Sequence, residues 1–314
     1  MSARPESLSP VAAMTAAAAA PAPASPAKAA AWGPWVAWGT CSVVWGSTYL
    51  AIAVALESFT TFGMVAIRFG AAALLALLLG RLRGEPMPGR SELPHLALVG
   101  FLLLFVANAL IVWSEHHLPS GLVAVLCATT PAWFGLMTRR SEPLGARGWV
   151  GTALGFAGVV LLAAPGEDLS LHAPGVVAVL LATLAWASGT LHGRRHVTGG
   201  GPLTRAGVEM ASASLAGLAV APFTGGFLSS APTPRAVLAL VYLALFGSVL
   251  AYTAHGTVTR AWSPARAGTY AYLNPVIAVL LGVLLLGEPF GARVVAGMAV
   301  ILSGVALVQL RARR

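Results

Sequence analysis

From Trp35 to Leu310 the sequence is a succession of apolar runs broken by short charged or Pro/Gly-rich connections. The runs are Trp35 to Leu56, Phe62 to Gly80, Leu96 to Trp113, Gly121 to Thr138, Trp149 to Ala164, Val176 to Leu191, Ala206 to Phe223, Val237 to Thr257, Ala267 to Leu286 and Val294 to Leu310. An α-helix needs about 20 apolar residues to cross the hydrocarbon layer of a bilayer, and each run approaches that length. The pattern therefore predicts an all-α membrane protein with ten transmembrane helices.

Composition excludes the soluble alternatives. Hydrophobic residues make up 57% of the chain and charged residues 9%, against about a quarter charged in an ordinary soluble domain. The mean hydropathy of +0.81 leaves too little polar surface to cover a water-exposed globule of this size. Ten crossings consume about 200 residues, so the rest supplies connections and one tail, with no second soluble domain. That tail, residues 1–30, is Ala/Pro/Ser-rich, lacks the compact apolar segment of a signal peptide, and reads as a disordered cytoplasmic extension.

The net charge of +9 is a matter of topology. With the N-terminus inside and an even number of spans, all of the nineteen Lys and Arg residues except Arg68, Arg235 and Arg293 fall in the cytoplasmic segments. This is the positive-inside bias of an inner (plasma) membrane protein with both termini cytoplasmic. It leaves no basic surplus for nucleic acid. Membrane lipid and a small-molecule substrate are the partners expected.

The chain also repeats itself. An offset of 144 places Ala107 on Ala251 and Pro131 on Pro275, and Glu142 and Glu288 each follow a fourth span of their half; an offset of 141 places Trp45 on Trp186. The halves are residues 31–165 and 173–311. Five spans per half is odd, so the second copy must enter the membrane from the opposite side, as in transporters built on inverted repeats.

Several stretches resemble the EamA branch of the drug/metabolite transporter superfamily: WGSTYLAI (Trp45 to Ile52), Arg68 in AIRFGAAALLALLL, Ala107 to Leu126, and Ala251 to Phe290. The resemblance implies a ten-helix inner-membrane carrier made of two EamA repeats. It implies export of small metabolites, amino acids or drug-like solutes, and names no single cargo.

Candidate site residues follow from what is costly inside a membrane. Arg68 lies about 9 Å into the second span, where a charge is functional by default. Its counterpart at offset 141 is Glu209. Two charged gates are expected: Arg68 with Glu115 or Glu57 at the outer face, and Glu209 with Arg260 at the inner face. Pro131 and Pro275 each free a carbonyl a turn earlier, beside Thr129 and Thr130 in one copy and Asn274 in the other. Trp45, Trp186, Tyr252, Tyr270 and Tyr272 sit within spans, and with Ser47, Thr48, Asn108 and Asn274 they would line a pocket for amphipathic solutes. Packing and snorkelling account for such residues too.

Gly151, Gly155, Gly158, Gly297 and Gly304 offer close helix approach, either between the halves or between subunits; monomer and homodimer are both compatible. Cys41 and Cys127 read as buried thiols. The histidines, among them His116, His117, His192, His196 and His255, read as residues near helix ends, with no metal motif; no cofactor is expected. No ATP-binding motif occurs, so transport is secondary-active or by exchange. An integral-membrane enzyme acting on lipid or isoprenoid carriers is the competing reading, but acids are scattered apart from Glu167 and Asp168, and no catalytic cluster emerges. A non-transporting scaffold is the third.

Overall fold

The structure is a computed structural model that describes residues 33–118, 123, 126–163, 172–286 and 291–310. The N-terminal tail, residues 121, 122, 124 and 125 of the fourth apolar run, the Glu167–Asp168 pair and Glu288 lie outside these. The described residues form helices, with one isolated antiparallel bridge, Phe59 to Leu228, between two connections. The helices are α1 (Gly33–Ala55), α2 (Thr61–Leu82), α3 (Leu93–Glu115), α4 (Thr130–Met137), α5 (Ala146–Ala163) and α6 (Ala173–His196). They continue with α7 (Pro202–Phe223), α8 (Pro234–Ala261), α9 (Tyr270–Leu286, after the single turn Pro264–Gly268) and α10 (Ala292–Gln309). Six of them, α1, α2, α3, α6, α7 and α8, are long and apolar enough to cross a membrane.

Local chemistry sets the helix ends. Thr60 caps α2 by accepting from the Gly63 N–H at 3.0 Å. Thr233 caps α8 from Ala236 at 3.2 Å, with Pro234 in the first turn. Gly84, at φ 67°, closes α2 as the Glu85 N–H reaches back to the Gly80 carbonyl at 2.9 Å. That turn delivers the Glu85 carboxylate to the start of α7, where it accepts from Leu203 and Thr204 at 2.8 and 3.2 Å. Glu92 does the same for the next connection, accepting from Thr198 and Gly199 at 2.7 Å each. Arg205 donates to the Thr198 and Gly199 carbonyls.

Helices holding equivalent places in the two halves lie against each other. The α2 and α7 faces meet through glycines: a Cβ on Gly70 would sit 2.8 Å from the Ser214 hydroxyl, and one on Gly217 would sit 2.9 Å from the Ala66 nitrogen. The pairing is antiparallel, since Gly80 meets Thr204 while Ala66 meets Gly217. The α5 and α10 helices meet likewise through Gly151, Gly158 and Gly304, which assigns the glycine faces to packing within the chain. The largest buried cluster, with Phe69, Leu103 and Met210, fills the space between α2, α3 and α7. Leu74, Leu78, Leu215, Leu238 and Leu284 stay exposed on the outside, as side chains facing lipid do.

Both α3 and α8 contain a π-helical stretch, Phe101–Val106 and Leu243–Leu250. Each ends immediately before an equivalent alanine, Ala107 or Ala251. Such wide turns leave carbonyls without a regular partner and recur at functional sites. Here side chains serve them: Asn108 donates to the Leu103 carbonyl at 2.9 Å and Ser248 to the Leu243 carbonyl at 3.0 Å.

Candidate substrate cavity

The two π-helical stretches face a central cavity of about 100 Å³. Its walls are Trp45, Thr48 and Tyr49 on α1, Arg68 and Phe69 on α2, Leu104 and Asn108 on α3, Cys127 and Thr130 around the start of α4, Thr183 and Trp186 on α6, Gly247, Ser248 and Tyr252 on α8, and Tyr270, Ala271 and Asn274 on α9. Repeat-equivalent positions both line it: Trp45 and Trp186, Asn108 and Tyr252, Cys127 and Ala271, Thr130 and Asn274. Both halves thus contribute the same layers of the wall.

Arg68 is buried, with 5% of its surface exposed, and among the described lining residues it alone carries a formal charge. Its Nε donates to the Ser248 hydroxyl at 2.9 Å, and its guanidinium carbon lies 4.8 Å from the Phe69 ring centre. Gly247 makes room for it: a Cβ there would fall 3.1 Å from Nη2 and 3.0 Å from the Thr48 methyl. The Gly247 carbonyl accepts from the Trp45 indole at 2.9 Å. Nε is thus held by the hydroxyl of a serine on α8.

Rings close the cavity on one side. Trp45 stands edge-on to Trp186 at 5.3 Å and to Tyr270 at 5.0 Å, and His255 packs 5.4 Å from Trp45 and 5.3 Å from Trp186. The buried Trp186 Nε1 and His255 Nε2 have no hydrogen-bond partner within reach among the described residues. Beyond this layer lies a vestibule of about 230 Å³, lined by Arg194, Arg205, Glu209, His255, Thr259 and Arg260 among others. Tyr252 lines both spaces.

Pro131 and Pro275, expected among the substrate-binding residues, are not part of the cavity lining; each stands beside a lining residue, Thr130 or Asn274. Pro131 stands in the first turn of α4, and the Cys127 carbonyl, one turn back, accepts from the Thr130 hydroxyl at 2.7 Å. Pro275 lies inside α9, one turn after the wall residue Ala271. Asn274, with its amide turned to donate, reaches the Tyr270 carbonyl at 3.1 Å and the Ser42 carbonyl at 3.3 Å.

Other expected site residues stand elsewhere. Ser47 shares a 2.5 Å hydrogen bond with the Tyr242 hydroxyl. Tyr272 is fully buried in the α5–α10 contact and donates to the Thr152 carbonyl at 3.1 Å. Arg68 and Glu115 are not joined; both Glu115 oxygens are buried without a hydrogen-bond partner among the described residues. Glu209 faces Tyr252, with Arg260 and Arg205 in electrostatic range, and no Glu209–Arg260 salt bridge forms within 4 Å among the described residues. The salt bridge they do contain joins Arg194 to Glu142 at 3.0 Å. Sequence reasoning passed over Tyr49, Thr183 and Ser248. The repeat carried a trace of one of them, since Ser248 is the polar counterpart of Leu104 at offset 144.

A family comparison decides the class. The profile of the EamA-like transporter family matches residues 33–164 and again 173–310. The chain belongs to the EamA-like transporter family. It is 38% identical over 276 residues to "Uncharacterized inner membrane transporter YedA" of Escherichia coli K12, across 85% of this chain and 88% of that one. It is 29% identical over 283 residues to the "Probable terminal-alkyne amino-acid exporter" of Streptantibioticus cattleyicolor, across 86% and 91%. One protein of known crystal structure shares the fold, with a TM-score of 0.73 at 20% identity over 87% of this chain and 95% of that one. The EamA-like chain is thus a transmembrane transport protein with two family units.

Proposed function

We propose that this EamA-like chain is a secondary carrier that exports small amphipathic solutes bearing a carboxylate, amino acids and their derivatives foremost, by alternating access across the inner membrane. The observation that carries this reading is Arg68: a buried guanidinium, fixed at Nε by Ser248, in the wall of a cavity lined by aromatic rings. A carboxylate accepts from such a fork at close to twice the strength of a neutral hydrogen bond, and the rings of Trp45, Trp186 and Tyr270 suit an apolar body. The Streptantibioticus relative, named for amino-acid export, agrees with this solute class.

The architecture we infer is ten crossings in two five-helix units of opposite sense, with both termini cytoplasmic. It is supported by the antiparallel contact of α2 with its equivalent α7, and by connections that meet at two ends: Glu85 and Glu92 with residues 198–204 at one, and Ser58 and Thr60 with residues 226–231 at the other. The ring layer at Tyr252 and His255 is then the barrier between cavity and cytoplasmic vestibule. Its opening would merge the two spaces into a site large enough for a solute. Arg68 and Glu115 pair in the opposite state of the cycle. Charge reversal of each singly and then both together tests that pairing, and double reversal that restores no transport would count against it.

The solute class is tested in proteoliposomes by uptake of a panel of labelled amino acids beside their amides and methyl esters. The acids should move and compete with one another. Equal transport of acids and esters would reject the carboxylate anchor.

A further inference from the structure

We propose that His95, His192 and His196 form a binding site for a divalent transition metal of the Zn²⁺ class, bridging the start of α3 in the first family unit to the end of α6 in the second. This inference is independent of the transported solute. It starts from helix register. His192 and His196 are four residues apart and share one face of α6, the face on which Gly189 and Gly193 also lie. Those glycines admit α3: Gly189 packs on Leu103, and a Cβ on Gly193 would lie 3.3 Å from the Val99 methyl. One turn before Val99 on the same face of α3 stands His95, so the register that seats Val99 and Leu103 on glycines also brings His95 opposite the two histidines of α6.

The result is a compact imidazole cluster. His95 Nδ1 lies 3.0 Å from His192 Nε2, His192 and His196 stack at 4.2 Å, and His95 stacks on His196 at 4.8 Å. One donor nitrogen from each ring falls within 4.8 Å of the others. Three nitrogens held about 2.0–2.1 Å from a tetrahedral ion stand roughly 3.4 Å apart, so the set closes on an ion with no nitrogen pair shortening by more than roughly 1.4 Å. The other nitrogen of His196, Nδ1, lies 3.0 Å from the His192 carbonyl, which would orient the ring as outer partners orient metal-bound histidines.

The electrostatics are mixed. Arg195 lies in electrostatic range of His192, whereas the carbonyl end of α6, where His192 and His196 sit, favours a cation. Neutral imidazoles without a carboxylate suit Zn²⁺, Cu²⁺ or Ni²⁺ over Mg²⁺ or Ca²⁺. An adjoining depression of about 300 Å³ beside Met137, Ser188 and Arg195 gives access from solvent and room for a fourth, water-derived ligand.

The test uses the full chain, purified without a polyhistidine tag, reconstituted in lipid nanodiscs and stripped with chelator. Co²⁺ titration followed by visible absorption, with Zn²⁺ competition, reports the site directly. One Co²⁺ per chain with a tetrahedral spectrum, displaced by Zn²⁺, is expected. Loss of even an outer partner costs about 10–100-fold in metal affinity, so H95A, H192A and H196A should each weaken binding at least about tenfold. H117A, in a separate ring stack with His172, should leave it unchanged. His192→Asn, close in size, repeats the loss if H192A folds poorly by size-exclusion chromatography. No stoichiometric uptake of Co²⁺ or Zn²⁺, or equal affinity in the wild type and all three cluster variants, would overturn the proposal.

Discussion

A guanidinium inside a bilayer-spanning helix needs compensation, and at Arg68 this comes from one serine hydroxyl, one aromatic ring and the space left by a glycine. Removing the side chain removes the anchor proposed for the solute carboxylate. Hydrogen bonds to charged groups contribute about 1.5–3 kcal/mol, so Arg68→Ala should lower the apparent affinity for carboxylate solutes by roughly tenfold to a hundredfold. Arg68→Lys keeps the charge but loses the fork, and should fall between. Proteoliposome uptake curves check both, and an R68A chain with unaltered affinity for acids would remove the anchor from the account. Gly247→Ala offers a subtler test. A methyl 3.1 Å from Nη2 should displace the guanidinium and raise KM while the protein remains folded by size-exclusion chromatography. Arg68 was legible in the sequence because a charge deep in an apolar run is rare and costly. Ser248 was not, because a serine in such a run is common and only the fold shows what it faces.

Between helices, small residues and carboxylate caps do most of the fixing. The α5–α10 contact is close at Gly155 and Gly304, where a Cβ on Gly304 would fall against the Gly155 nitrogen, and a Cβ on Gly155 would fall 2.8 Å from the ring of Tyr272 on the neighbouring α9. Overpacking of this kind costs about 1–3 kcal/mol, so Gly155→Val should lower the thermal midpoint in detergent by several degrees. At the opposite extreme of exposure, Glu92 accepts from the Gly199 and Thr198 N–H groups, and these hold its carboxyl at about 2, against an ordinary 4.5. Because the folded value is the lower one, its tie to the Thr198–Gly199 turn is complete above pH 4.5 and is lost as the pH falls toward about 2. Thermal midpoints measured across that window should fall for the wild type and fall less for Glu92→Gln; parallel curves would contradict this. Most helices were legible from apolar runs. The α6 helix extends past its run at both ends, because His172 caps its start at 3.2 Å and a basic last turn suits its C-terminus. The π-helical stretches were not legible, since their sequences, FLLLFV and LALFGSVL, read as ordinary apolar helix.

At the scale of the molecule, equivalent helices of the two family units touch each other, and several of their equivalent residues line one cavity. The internal offsets of 141 and 144 carried this in the sequence, because duplicated spans keep their wall residues in step: Trp45 with Trp186, Thr130 with Asn274. The charged gates were less legible. Sequence depth predicts that Arg68 and Glu209 enter from opposite faces, but which neighbour each one meets depends on helix rotation, and among the described residues neither forms its expected ion pair. If the two units run in opposite senses with an even number of crossings, reporters fused to the N- and C-termini should both be protected from protease added outside the cell. One protected and one cleaved terminus would break the architecture. The most direct test of the cavity uses the chain's own thiol: Cys127 lines it, and Cys41 does not. In a Cys41→Ala chain in sealed vesicles, a small charged thiol reagent should reach Cys127 from either face, and a transported solute should slow the labelling from both. Labelling from one face only, or labelling indifferent to solute, would contradict a shared site that opens to each side in turn.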